Sequence, residues 1–152
     1  MAYWLFKSEP NTYSYDDLER DGRTEWDGVR NFQARNYLRD EVKEGDKVLF
    51  YYSNAKPQAI VAIAKVVRGG YPDFTAWEAD SPHPDPHSTQ ENPIWFLVDI
   101  APEQRFKRPI TLDDVKKIPG LEHMMLIKSS RLSIQPVRLE EWDIIVQIGM
   151  DG

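Results

Sequence analysis

The chain has 152 residues, 41% of them apolar, with 19 Lys and Arg against 25 Asp and Glu, a formal net charge of −6, and no cysteine. That length suits one domain with a self-sufficient core, and the composition excludes wholesale disorder. Lack of cysteine removes disulfides, thiolate metal sites and cysteine nucleophiles, while the acidic balance argues against tight, unspecific duplex binding, which depends on phosphate neutralisation by Lys and Arg.

Ala2–Lys7 is a short apolar run, too short for a signal peptide or a membrane span, and reads as a buried first strand of a cytoplasmic protein. Ser14 can cap a helix over Tyr15–Arg20, with acids in its first turn and Gly22 as its stop. Asn31–Glu41 spaces Phe32, Ala34, Tyr37 and Leu38 as a helix does, ending before the turn Glu44-Gly45-Asp46. Lys47–Tyr52 and Ala59–Val67 read as neighbouring antiparallel strands. Gly69 to Pro93 holds five prolines, two glycines, Tyr71, Phe74 and Trp77, a long irregular connection of the kind that is functional or mobile. We expect it to flank a pocket through Tyr71 and Asp73. Ile94–Ile100 is a strand, extending with a break at Pro102 towards Phe106. Thr111 and Asp114 frame a capping box for a short helix. Leu126–Ile134 is read as a strand, and Leu139–Ile148 as a last helix with Trp142, Ile145 and Ile148 on one face. No strand–helix alternation or glycine-rich phosphate loop is present. The expected class is therefore α+β: a small, curved, mostly antiparallel sheet or barrel with short peripheral helices, residues 1–152 forming one domain.

The stretch Trp26-Asp27-Gly28-Val29-Arg30-Asn31-Phe32-Gln33-Ala34-Arg35-Asn36 carries the most chemical information. It sets a tryptophan among carboxylate, guanidinium and amide groups around one glycine. Such a mixture suits a recess with an apolar wall and a hydrogen-bonding rim, which a nucleobase asks for. The alternative is a tryptophan closing a small core beside a glycine turn.

Signals for catalysis are weak. His83 and His87 have a metal-ligand spacing, but Pro82, Pro84 and Pro86 forbid the helix that would use it, and a solvated loop is the simpler reading. The adjacent pairs Asp16/Asp17, Asp113/Asp114 and Glu140/Glu141 fall in first helical turns, where the helix dipole explains them. We expect no catalytic residue, metal or cofactor.

Five motifs occur in one order: Tyr3-Trp4-Leu5-Phe6-Lys7-Ser8-Glu9-Pro10, Trp26–Asn36, Phe50-Tyr51-Tyr52-Ser53-Asn54, Tyr71-Pro72-Asp73, and Arg131-Leu132-Ser133-Ile134-Gln135-Pro136-Val137. In this order they resemble the EVE domain family over nearly the whole chain, in what looks like its stand-alone bacterial form. The resemblance implies a PUA-like curved β-barrel with peripheral helices. It also implies kinship with YTH domains, which hold N6-methyladenine of RNA in an aromatic cage. Trp26 resembles the first cage tryptophan, and Lys7-Ser8 resembles the pair closing the first strand; no tryptophan matches the second cage wall, for which Tyr71 or Trp77 are candidates. The function implied is non-catalytic reading of a modified base, either a modified cytosine in DNA or a modified base in RNA, by a monomer without membrane contact. The pocket would draw on Ser8, Glu9, Trp26, Asp27, Val29, Asn31, Ser53, Asn54, Tyr71 and Asp73. Lys7, Arg30, Arg35 and Lys56 would meet flanking phosphates. Two rivals remain: an enzyme acting on a nucleotide or small molecule through Asp27, Asp73 or Glu9, and a protein-interaction module that uses the proline-rich loop.

Overall fold

A computed structural model describes residues 1–129 and 131–151. Six strands form one sheet: β1 (Tyr3–Ser8), β2 (Thr24–Glu25), β3 (Lys47–Tyr52), β4 (Ala59–Pro72), β5 (Phe96–Thr111) and β6 (Ile134–Val137). Their order is β2-β5-β4-β3-β1-β6, and only β1 and β3 run parallel among these pairs. The mixed sheet is thus mostly antiparallel, as expected. It is not closed into a barrel, however: two-residue β2 and four-residue β6 are its edges, and no ladder joins them among the described residues.

The apolar runs of β1 and β3 follow from burial on both faces. Successive side chains point to opposite sides of a strand. Trp4, Phe6, Val48 and Phe50 therefore enter one core, while Leu5, Leu49 and Tyr51 enter a second. Helix α1 (Tyr15–Asp21) covers the first core with Tyr15 and Leu18. Beside it lie Trp26, Val29, α2 (Phe32–Asn36) and a π-helical turn, Tyr37–Glu41. The second core is covered by α3 (Leu112–Lys117), α4 (Met125–Lys128) and α5 (Leu139–Asp151).

Local signals behave as their chemistry predicts at several ends. Ser14 and Asp17 form the capping box of α1, Gly22 closes it at φ 77°, and Thr111 and Asp114 form the box of α3. Three readings are corrected. β4 continues to Pro72, because Gly69 and Gly70 do not make a turn; at Gly70 the Leu38 carbonyl lies 2.3 Å from where a Cβ would stand. The glycine admits a passing backbone. β5 continues past Pro102 with an irregularity there, a register shift against β4 at Ile63/Ala64, but it runs on to Thr111 instead of stopping near Phe106. Leu126–Ile134 is not one strand: α4 occupies its start, and β6 begins only at Ile134.

The connection from Asp73 to Trp95 contains one 3-10 turn, Phe74–Ala76. It is pinned by its own polar groups. Ser88 Oγ accepts from Ile94 N at 2.9 Å, and Trp95 Nε1 donates to Asp85 Oδ2 at 2.6 Å. No helix among the described residues is long and apolar enough to cross a membrane.

Candidate nucleic-acid interface

A cavity of about 510 Å³ opens where the end of β1, the turn before α1, β2 and the loop 26–30 converge. Its volume is that of a small-ligand site. Lys7, Ser8 and Glu9 line one side, Thr12 and Tyr13 another, and Thr24 to Arg30 the floor and far wall. Pro82, His83 and Ser133 complete the rim.

Trp26 is anchored by its backbone, which donates to Val98 O at 2.8 Å and so extends the β2–β5 ladder by one residue. Its ring lies 5.5 Å from Phe6 and 5.6 Å from Phe50, centroid to centroid, with Tyr13 edge-on at 6.5 Å. Only 9% of the residue remains exposed. The two readings of this tryptophan therefore merge: it closes the first core and presents what is left of its surface to the cavity. Gly28 follows at φ 78°, in the left-handed region that glycine enters without strain. A Cβ there would stand 3.1 Å from the His83 ring, so the glycine also lets the histidine pack down.

Asp73 organises this wall from below. Its side chain is fully buried, and Oδ2 accepts from Gly28 N and Arg30 Nη1, each at 2.9 Å. Oδ1 accepts from Thr75 N and from the Thr75 hydroxyl. Burial alone would raise its pKa, but the bonds from Thr75, Gly28 and Arg30 together hold it below the usual carboxylate range. Arg30 then reaches on, donating through Nη2 to His83 O at 2.7 Å. One guanidinium thus ties the loop 26–30 to the distant loop that supplies the rim. His83 Nε2 is 3.3 Å from Asp27 Oδ2, an ion pair when the imidazole is protonated.

The cavity is electrically mixed. Burial pushes the Glu25 carboxyl upward, helped by the charges of Asp99, Asp27, Glu78 and Asp73. Burial also lowers the Lys7 ammonium. Tyr13 is raised to about 12, mainly by burial, and its hydroxyl donates to Asp21 Oδ2 at 2.9 Å. Ser8 Oγ donates to Tyr13 O at 2.6 Å, leaving its lone pairs for a donor in the cavity.

Ser8, Glu9, Trp26, Asp27, Val29, Lys7 and Arg30 are brought together as the sequence suggested. Seven other candidates are placed elsewhere. Asn31 caps α2, its side chain accepting from Ala34 N. Ser53 and Asn54 do not line the cavity but bond to residues that do: Ser53 N donates to Ser8 O, and Asn54 Nδ2 to Glu9 Oε1 at 3.3 Å. Asp73 lies beneath the wall instead of in it. Tyr71 donates to Asp99 under the Arg68 guanidinium, 3.6 Å from its ring centroid. Arg35 donates to Ile94 O, and Lys56 lines a separate concavity with Asp113. The irregular connection therefore flanks the cavity through Pro82 and His83, not through Tyr71 and Asp73. The loop around His83 and His87 is largely solvated, as read, but His83 itself is half-buried at the cavity rim; among the described residues no group of three potential metal ligands occurs.

Tyr13, Thr24, Glu25, Pro82, His83 and Ser133 were not anticipated. Ser133 falls inside a recognised motif, and its carbonyl accepts from Lys7 N at 3.0 Å. Glu25 neighbours Trp26 on β2, a strand too short for periodicity to reveal. Nothing local marks His83, whose position depends on Arg30 and Gly28.

The sequence matches the EVE domain family over residues 2–148. The chain belongs to that family. Rat thymocyte nuclear protein 1 is 41% identical over 96% of this EVE domain chain and 73% of its own length; the human protein is 40% identical over 97% and 73%. Among solved structures, a hypothetical protein from Leishmania major superposes with a TM-score of 0.94 at 42% identity, covering 99% of this chain and 96% of that one. Human THYN1 in complex with 5-methylcytosine-containing DNA superposes at 0.91 with 39% identity, covering 98% of both chains.

Proposed function

We propose that this EVE domain is a non-catalytic reader of a modified base, and that the cavity beside Trp26 receives the base. The observation that carries the reading is the juxtaposition at one opening of Trp26, Val29, Asp27 and Glu25. A carboxylate accepts from the exocyclic amine of cytosine, and apolar side chains suit a methyl group on the pyrimidine ring. Ser8 offers a further acceptor. The base would leave its stack to enter, as it does in proteins that extrude a nucleotide into a pocket. The 5-methylcytosine DNA bound by the human relative supports this reading and favours DNA and modified cytosine over a modified RNA base.

Acid–base catalysis through Asp73 is the weaker reading, because its oxygens are engaged by Gly28, Thr75 and Arg30 and it does not line the cavity. We take the binding unit to be one chain, acting on DNA without a cofactor.

The test is a titration, by fluorescence anisotropy, of matched duplexes carrying cytosine, 5-methylcytosine or 5-hydroxymethylcytosine, with an RNA carrying N6-methyladenine alongside. Preference for a modified cytosine is expected. Equal affinity across the panel overturns the reading, and preference for the RNA transfers it to a different base.

A further inference from the structure

Phe32 is the exposed aromatic that the cavity does not use. It is 60% exposed although it begins α2, four residues after Gly28. Its ring lies 4.9 Å from that of buried Trp95 at an interplanar angle of 29°, a stacked pair. Arg35 holds its guanidinium 5.1 Å from the Phe32 centroid, and Arg30 holds its own 5.5 Å from that of Trp95. Since Arg30 also lines the cavity, a continuous path of side chains leads from the cavity through Trp95 to the outer face of Phe32.

Arginines cluster along this surface, Arg30 paired with Asp73 and Arg39 with Asp40, while Asp85 accepts from the Trp95 indole. Arg35 donates to the Ile94 carbonyl and the Asn36 amide oxygen, and no carboxylate lies within ion-pair distance of it among the described residues. Arg39 lies close enough to repel it, offset in part by Asp40. On the other side of α2, Asn31 and Gln33 share a concavity of about 310 Å³ with Arg131. A flat ring held rigid by a second ring, edged by guanidinium and amide groups, matches the chemistry of a stacking platform for a nucleic-acid base beside phosphates. In a chain of net charge −6, Arg35 stands beside the exposed ring as a guanidinium with no carboxylate paired to it among the described residues.

We propose that Phe32 stacks on a base neighbouring the one in the cavity, with Arg35 at the adjoining phosphate. The inference rests on the base-reader reading but makes a separate demand: the platform contacts the strand whether or not the bound base is modified. A ring serving only as a cover for Trp95 would be replaceable by leucine, which has apolar area but no π-face.

The experiment compares wild type, Phe32→Leu, Phe32→Trp and Arg35→Gln by anisotropy on DNA with a central 5-methylcytosine, on the same DNA unmodified, and on DNA with abasic sites flanking the modified base. Phe32→Leu should weaken both intact DNAs by about 5- to 150-fold, the span of one lost stacking contact. Phe32→Trp should bind as well as wild type or better, and Arg35→Gln should weaken binding and flatten its salt dependence. Abasic flanks should weaken the wild type and remove the difference between wild type and Phe32→Leu. Melting curves establish that each variant is folded. Unaltered affinity of Phe32→Leu, a loss that persists on abasic DNA, or absence of any wild-type binding to DNA overturns the proposal. If Phe32-dependent binding shows no preference for the modification, the cavity reading fails and the platform stands. If the preference survives without dependence on Phe32, the platform fails and the cavity reading stands.

Discussion

The Asp73 carboxylate, buried at the end of β4, accepts from the Arg30 guanidinium 43 positions earlier in the chain, at 2.9 Å. This bond joins the two segments that face each other across the cavity, because Arg30 in turn holds the His83 carbonyl. Rigidity of the wall therefore depends on a carboxylate that does not itself line the opening.

Asp73→Ala should be strongly destabilising. It leaves a mostly buried guanidinium and the Gly28 N–H without their acceptor, a loss of about 3–5 kcal/mol for a broken buried pair. Chemical denaturation should show the loss, and amide exchange should quicken at Gly28 and His83 more than in β1 or β3.

The same carboxylate sets a pH dependence. Its folded pKa is depressed, so its stabilisation is present above the unfolded value of about 3.9 and is lost as pH falls through the folded value. Unfolding free energy measured between neutral pH and pH 2 should fall in the acid range, and Asp73→Asn should flatten that fall below about pH 4.

Gly28→Ala should lower the melting temperature and disturb the rim together. The left-handed backbone costs about 1–3 kcal/mol for a residue with a Cβ. The new methyl group must also displace the His83 ring. A variant that melts like wild type would show that the loop tolerates both.

Trp26→Ala should not be a clean binding variant. A tryptophan packed on Phe6 and Phe50 with 9% exposure loses about 3–5 kcal/mol on truncation to alanine. Trp26→Phe retains part of the core contact and is the better probe. It should melt closer to wild type than Trp26→Ala while weakening binding of 5-methylcytosine DNA, read by denaturation and titration on the same preparations.

Much of this arrangement is legible along the chain where the determinant is local. The capping boxes at Ser14 and Thr111, the apolar runs of β1 and β3, and the mixed chemistry of Trp26–Arg30 all depend on neighbours within a few residues. What sequence reading misses depends on partners far away. Gly70 resembles a turn residue until the backbone of Leu38 and Arg39 is seen against it. Asp73 resembles a pocket residue, yet it serves Gly28 and Arg30 from beneath. His83 resembles half of a metal motif, yet it is seated by a glycine 55 positions earlier. Trp26 was open to two readings because a side chain can belong to a core and border a cavity at once.

Salt dependence should be shallow. Arg30 is occupied by Asp73, and Lys56 lies at another concavity, leaving about two to four phosphate contacts for groups such as Arg35 and Arg131. The slope of log affinity against log salt should be roughly −1.5 to −3.5. A slope near −8 would require a basic surface that this chain does not present among its described residues.

The central claim, that a modified base occupies the cavity beside Trp26, is tested most directly by nuclear magnetic resonance. The Trp26 indole N–H and the Gly28 amide should be followed during titration with DNA containing one 5-methylcytosine and with the identical unmodified DNA. Both signals should shift and saturate with the modified DNA and move far less with the unmodified DNA. Signals that respond equally to both, or that stay fixed while resonances elsewhere shift, would contradict the claim.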